Sequence, residues 1–352
     1  MVQVHCETPK VLISGGAGFI GSHVVDRFLR EGWFVRAVDN FDDYYDSTLK
    51  SQNIAHHIGD AHFELARVDI RNYEALRARC FDRYDLIVHL AARPGVRPSI
   101  EHPAVYYETN VRGTLNVLRL ARECVVPQVV FASSSSVYGR NPHLPWKEDG
   151  TDPQPISPYA ATKVTCEILG EQYARRYGIR FIALRLFTIY GPRQRPDLCI
   201  HKFALRMLRG QPITLYGDGS STRDYTYVQD AVEGIWAAKD YAQSNFEIIN
   251  IGTGNPVSLN RVVLLLEEAL HVRADSRWEG EQRGDLRHTR ADCTKALDLL
   301  GYKSLVPFSE GILGFADWMR QSRQEYADFF VPTPWGKVIL TAVDAAGSGN
   351  TG

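Results

Sequence analysis

Apolar positions along the chain alternate between short continuous runs and stretches spaced three or four residues apart. Val11-Leu12-Ile13 is one such run, and Phe19, Ile20, Val24, Val25 and Phe28 follow at helical spacing. Together they predict a buried strand, a tight turn and a helix. The alternation recurs: 33–38, 63–68, 85–90, 128–132 and 180–187 read as strands, and 72–80, 103–124 and 157–177 as helices between them. On helix 103–124 the inward positions are Val111, Leu115, Val117, Leu118 and Leu120, whereas 41–58 reads as a loop with a short helix. Strands alternating with helices imply an α/β protein of the Rossmann type. Its doubly wound parallel sheet is covered on both faces, with ligands beyond the carboxyl ends of the strands.

After Tyr190 the pattern loosens. A Pro/Arg loop at 191–196 leads to predicted helices 200–209, 227–241, 258–270 and 293–300. A short strand is expected at 213–216, a turn at 217–219, and a strand at 247–251 that returns to the first sheet. Residues 1–187, joined by 228–256, are therefore expected to form the first domain. Residues 188–227 and 257–330 would form a smaller, discontinuous lobe, and 331–352 a tail whose Gly/Ser-rich end, 345–352, is expected to be disordered.

The break between the first strand and helix carries Gly15, Gly18 and Gly21. One glycine makes the turn, one lets the backbone approach a pyrophosphate, and one lets the helix pack close on the strand. The pyrophosphate would rest on the helix start at Phe19 and Ile20, against free N–H groups and the positive end of the dipole. Asp39-Asn40 closes the second strand, 18 residues after Gly21. An acid there accepts from both ribose hydroxyls and repels a 2′-phosphate, which favours NAD over NADP. Asp69, followed by Ile70, either reaches the adenine or caps helix 72–80, and Leu90, Ala91 and Ala92 are placed to let the cofactor lie against the fourth strand.

Composition narrows the setting. With 40 basic and 41 acidic side chains the net charge is -1, so no global field attracts nucleic acid or an anionic membrane. Apolar runs fall far short of the ~20 residues that span a bilayer. The first strand begins about ten residues in, leaving no room for a secretory signal. Cys6, Cys80, Cys124, Cys166, Cys199 and Cys293 are scattered without zinc or redox spacing, so a soluble cytoplasmic protein is expected. The histidines show no metal spacing; His56-His57 reads as an exposed pair and His89 as a strand-end residue with a satisfied ring.

The most specific chemistry lies in Ser157-Pro158-Tyr159-Ala160-Ala161-Thr162-Lys163. Ser157 suits a helix cap and Pro158 the first helical position. Tyr159 and Lys163 then share one face. A phenol titrates near pH 10 in water, so a tyrosine base needs positive charge beside it, which a lysine and an oxidised nicotinamide both supply.

At this point the chain resembles the extended short-chain dehydrogenase/reductase family, and within it the nucleotide-sugar epimerases. The resemblance covers 10–318 and rests on GGAGFIGS, DN at 39–40, HLAA at 89–92, SSSSVYG at 133–139, YAATK at 159–163 and GDGSSTRDYTYVQD at 217–230. It implies that Tyr159 is the catalytic base, that Lys163 holds the nicotinamide ribose and tunes Tyr159, and that Ser134 bonds the sugar hydroxyl. Ser133 would lie on the cofactor, with the order among the four serines uncertain by one position, and Asn110 would support the architecture.

Related dehydratases carry an Asp-Glu pair after the strand-end serine or threonine, and related decarboxylases keep a Glu two positions after it. Ser135 and Ser136 stand there instead and cannot do that proton work. Thr188 in RLFTIYGPRQRPDL and Arg97 in GVRPS resemble the UDP-glucuronate 4-epimerases. Ser135, Ser136 and Thr188 would ring a sugar carboxylate with Arg193 or Arg195 nearby, or else serve only as strand-end hydroxyls. Arg223 of the TRDY segment, with Arg287 of the GDLRHTRAD run as a second candidate, is expected on the UDP diphosphate, the alternative being surface ion pairs with Asp224 or Asp285. The expected activity is NAD-dependent 4-epimerisation of UDP-glucuronate. The competing readings are a UDP-glucose 4-epimerase, a UDP-glucuronate decarboxylase and a non-catalytic NAD-sensing protein. Relatives dimerise through two helices per subunit, here 103–124 and 157–177, which implies a homodimer.

Overall fold

A computed structural model of the chain describes residues 8–150, 152–280, 286–326, 330–332 and 338–340. Its centre is a parallel sheet made from β1 (Lys10–Ser14), β2 (Phe34–Asp39), β3 (Phe63–Arg67), β4 (Leu86–His89), β5 (Gln128–Ser134) and β6 (Arg180–Leu186). Four short strands follow, β7 (Thr188–Tyr190), β8 (Ile213–Tyr216), β9 (Thr222–Arg223) and β10 (Tyr225–Tyr227), before β11 (Phe246–Ile251) returns to the sheet beside β6. The seven strands run in the order β11-β6-β5-β4-β1-β2-β3.

Helices cover both faces, which is why β1 is a continuous apolar run rather than an alternating one. Val11 and Ile13 pack toward α1 (Phe19–Arg30) and a later helix, Val228–Ala238, through Val24, Val25, Phe28, Ala231 and Ile235. Leu12 faces the opposite layer, with Val117, Leu118, Ala121, Cys166 and Ala174. Between α1 and that layer the chain forms α2 (Ser47–Ile54), α3 (Tyr73–Cys80), α4 (Val96–Glu101) and α5 (Pro103–Tyr106). The layer itself is α6 (Gly113–Glu123) and α7 (Pro158–Tyr177). A separate core, with Tyr190, Phe203, Leu215, Leu266 and Phe315 at its centre, joins α8 (Cys199–Leu208) to two helices that lie beyond α9 (Val228–Ala238), namely α10 (Leu259–Leu270) and, past α11 (Thr294–Leu300), α12 (Phe308–Tyr326). Alongside it β12 (Val257–Ser258) pairs with β9 and β13 (Ser276–Glu279) with β8.

Several expectations change. The helix expected at 103–124 is three pieces, α5, a π-turn at Tyr107–Arg112, and α6. A π-turn holds an extra residue and rotates the helix beyond it. On α6 itself Leu115 lies two residues from Val117, on the opposite side of the helix, and is 40% exposed, while Val117, Leu118 and Leu120 stay inside. Asn72, not Asp69, caps α3, accepting from Ala75 N at 3.1 Å. β5 runs on through Ser134 instead of stopping at Ala132. Helix α12 has no counterpart among the expected elements. Within the expected tail, β14 (Phe330–Pro332) and β15 (Val338–Leu340) pair antiparallel; 345–352 lie outside the described residues. Among the described residues no helix is long and apolar enough to cross a membrane.

Candidate active site

The turn after β1 leaves no room for a side chain at Gly15, Gly16 or Gly21. Gly15 sits at φ +73° with its N–H on the Val38 carbonyl at 2.7 Å. A Cβ there would meet Ala91 N at 2.8 Å, and one on Gly21 would lie 1.9 Å from the Gly15 carbonyl oxygen. No side chain caps α1, and Gly15, Gly18, Phe19, Ile20 and Gly21 line a cleft at its start. Strand ends complete the wall: Asp39 and Asn40 after β2, Asp69 and Ile70 after β3, and Leu90, Ala91 and Ala92 after β4. These residues fit a dinucleotide, since the backbone cradle admits a pyrophosphate and the acid at the β2 end suits a ribose. Asp39 is buried, accepting from Phe41 N at 2.8 Å with Lys50 Nζ 3.6 Å away. At Asp69 burial works against ionisation, but bonds from Arg71 and Asn40 hold the carboxyl below its ordinary range. Tyr44, Tyr45, Lys50, Arg93 and Thr109 also line the cleft. The sequence gives no sign of the first four because 41–50 and 93–94 carry no periodic signal, and none of Thr109 because the π-turn that aims it interrupts an expected plain helix.

At the far end of the cleft α7 meets β5. Ser157 Oγ accepts from Ala160 N at 3.2 Å and Pro158 takes the first turn, as their types dictate. Lys163 is 3% exposed and its Nζ donates to the carbonyl of Ala132, a cleft residue, at 2.7 Å. Tyr159, one turn earlier, is half-buried and meets the Tyr106 ring edge-on at 6.3 Å. Asn110, in the π-turn, accepts from Arg93 N at 2.7 Å and donates to Thr162 Oγ1 at 3.0 Å, tying the post-β4 loop to α7. The His89 ring is satisfied on both sides, by Ser14 and Thr114; burial, then the Lys163 charge, lowers its pKa to about 3.

The serines divide by strand parity. Ser133 donates to Glu167 Oε1 at 2.5 Å, and Glu167 is itself paired with buried Arg185 at 2.8 Å. The Ser133 hydroxyl is thus committed to α7 rather than to the cleft wall. Ser134, pointing the other way, donates to Ser136 Oγ at 3.0 Å and accepts from Ser136 N at 3.2 Å. Ser135 and Ser136 open a 3-10 turn, Ser135–Tyr138. Because Ser134 is in register with Leu186, the serines and Thr188 leave neighbouring strands at the same sheet edge. Thr188 N donates to the Asp224 carbonyl at 3.0 Å.

The five candidate arginines go to different places. Arg97, exposed on α4, reaches across to the Tyr216 ring at 5.6 Å. Arg193 is drawn to Asp26 on α1 at 2.8 Å. Arg195 lines the dinucleotide cleft and grips Asp197 through two bonds of 2.9 and 3.1 Å. Arg223 Nη1 donates to the carbonyls of Thr222 and Arg287 at 3.0 and 3.3 Å, while Arg287 lies 3.7 Å from Asp218. Asp224 is no surface partner for either. It is fully buried and accepts from Thr253 N, Thr253 Oγ1, Gly254 N and Ala291 N, stitching the loop after β11 to 289–291. Asp285 lies outside the described residues.

A dinucleotide cleft whose wall ends at Ala132, the β5 residue that the lysine of a tyrosine–lysine helix bonds, is the working end of a nicotinamide-dependent enzyme. Residues 11–252 match the model of the NAD dependent epimerase/dehydratase family, and the chain belongs to that family. It is 38% identical to a UDP-glucuronate 4-epimerase of Thermodesulfobacterium geofontis over 88% of this chain and 96% of that one. The crystal structure of UDP-glucuronic acid 4-epimerase from Bacillus cereus with UDP-glucuronic acid and NAD is similar, with a TM-score of 0.82 and 34% identity over 89% of this chain and 99% of that one. A UDP-glucose 4-epimerase from Thermotoga maritima, solved with UDP-glucose, gives a TM-score of 0.81 and 32% identity over 89% and 99%.

Proposed function

We propose that this chain catalyses the NAD-dependent 4-epimerisation of UDP-glucuronate, interconverting it with UDP-galacturonate through a 4-keto sugar. The observation that carries the reading is the hydroxyl cluster of Ser134, Ser135 and Ser136 beside Thr188, standing where dehydration or decarboxylation needs an acid. The similarity to the Thermodesulfobacterium and Bacillus enzymes supports it. NAD, when bound, supplies the reversible oxidation at C4. Tyr159 takes the 4-hydroxyl proton and returns it, Ser134 shares it, and Lys163, fixed on the Ala132 carbonyl, keeps a positive charge beside the tyrosine. A 4-keto uronate is a β-keto acid and loses CO2 when its carboxylate stands perpendicular to the ketone. Ser135, Ser136 and Thr188 hold the carboxylate out of that geometry. Arg193, committed to Asp26, and Arg195, gripped by Asp197 on the dinucleotide wall, leave this ring. Arg223, with Arg287 beside it, takes the diphosphate, so the ring can turn over while UDP stays held.

We place the enzyme in the cytoplasm, where its free cysteines Cys80, Cys124, Cys166, Cys199 and Cys293 stay reduced. It works as a homodimer through the face that exposes Ile100, Tyr107, Leu115 and Ile168, which light scattering on a sizing column tests.

The deciding experiment incubates the purified chain with UDP-glucuronate and no added NAD, resolving products by NMR. UDP-galacturonate alone is expected. UDP-pentose with CO2 would make the enzyme a decarboxylase, and faster turnover of UDP-glucose would hand the site to a neutral sugar.

A further inference from the structure

His56 and His57 are neighbours on a 3-10 turn, Ala55–His57, yet the structure brings both rings to one atom on a different helix. His57 Nε2 lies 2.7 Å from Asp26 Oδ1 and His56 Nε2 lies 3.2 Å from the same oxygen. The two ring centroids are 3.9 Å apart, so the imidazoles stand side by side and point one way. All three donor atoms fall within 4.8 Å of one another. The other oxygen of Asp26 accepts from Arg193 Nη1 at 2.8 Å, which fixes the plane of the carboxylate. The site is walled on one side and open on the other: the side chains of His57 and Asp26 are 13% and 19% exposed, and that of His56 is 49%.

We propose that Asp26, His56 and His57 bind a divalent cation of the zinc class, with water completing a tetrahedral shell. Two imidazole nitrogens and one carboxylate oxygen are a donor set that zinc accepts, at bond lengths of about 2.0–2.2 Å. Ligands on such a tetrahedron stand about 3.3 Å apart, so the 2.7 and 3.2 Å separations need only a sub-ångström opening. The cation would replace the imidazole protons now donated to Asp26. Arg193 then orients a ligating carboxylate from outside, while its own charge limits the affinity. None of the three ligands lines the dinucleotide cleft, so the cation has no part in the proposed reaction. It clamps α1 to the 3-10 turn, next to the loop that carries Arg195 to the cleft wall.

The test strips the full chain with chelator and titrates it with ZnCl2 by calorimetry, and with CoCl2 by visible absorbance. One saturating equivalent is expected, with the intense bands of tetrahedral cobalt. Binding should weaken at least about tenfold in His56→Ala and in His57→Ala, the loss that even an outer partner brings. His56 is at the exposed rim, so His56→Ala leaves the fold intact. No saturable binding by the unmodified chain would overturn the site, as would binding that both variants retain at full strength.

Discussion

The two ends of the cleft are built from different materials. At the dinucleotide end the cradle is backbone: a glycine turn, the first turn of α1 and the tips of three parallel strands, all lining one surface. At the end where we propose the sugar binds, the groups are side chains from distant segments, Ser134 to Ser136, Tyr159, Lys163, Thr188 and Arg223, held by one another and by buried partners. A backbone cradle tolerates almost no added atoms, and at that end chemical choice falls to the acid at the tip of β2, Asp39. A side-chain site tolerates small changes of shape and fails when one functional group is lost.

The largest effect should follow loss of one atom at the sugar end. Tyr159→Phe is expected to lower turnover at least about 10³-fold while the protein still purifies with NAD, read by product NMR and cofactor absorbance. Normal epimerisation by that variant would remove Tyr159 from the mechanism. At the other end the sensitive change is an addition. Gly21→Ala places a methyl 1.9 Å from the Gly15 carbonyl oxygen, so backbone must move. We expect a loss of about 3 kcal/mol in unfolding free energy and loss of retained NAD. Unchanged cofactor content would mean that the turn is not the cradle.

A third comparison uses pH. His89 lies under the cleft and His201 in the second core; burial chiefly lowers them to about 3 and about 4. A depressed pKa means the unfolded chain binds the extra proton, so this stability is complete above pH 6.5 and is lost as pH falls toward those values. Each should cost about 2 kcal/mol between pH 7 and pH 5. Urea titrations should show His89→Phe and His201→Phe each flattening that slope; a variant as acid-sensitive as its parent would show that its ring is not held neutral. The smallest expected effect is Thr188→Val, which removes one hydroxyl at nearly constant volume. It should raise KM for UDP-glucuronate about tenfold and leave UDP-glucose turnover unchanged. Equal effects on both sugars would place Thr188 away from the carboxylate.

The same contrast explains what could be read from the sequence. The glycine turn, Asp39 and the strand tips were legible because backbone geometry dictates residue type at fixed local spacing. The Ser157 cap and the Tyr159–Lys163 face were legible for the same local reason. The serine order was not, because four identical residues say nothing until Glu167 on α7, itself held by Arg185 of the neighbouring strand β6, fixes the parity of β5. Arg193 finds its partner 167 residues away in Asp26, and the π-turn widens around Asn110, whose partners Arg93 and Thr162 come from two other segments. Asp224 looked like a surface acid because its four donors come from loops that only the folded chain assembles.

The late return of β11 also sets a timetable for synthesis. From Leu186, the end of β6, to Ile251, the end of β11, the ribosome adds 65 residues, which at ~5–20 residues per second takes roughly 3–13 seconds. Until then the RFIALRL strand offers an unpaired apolar edge to any other nascent chain. The excursion between β6 and β11 is therefore also the interval in which a newly made molecule is most exposed to aggregation, and in which chaperone capture would matter most.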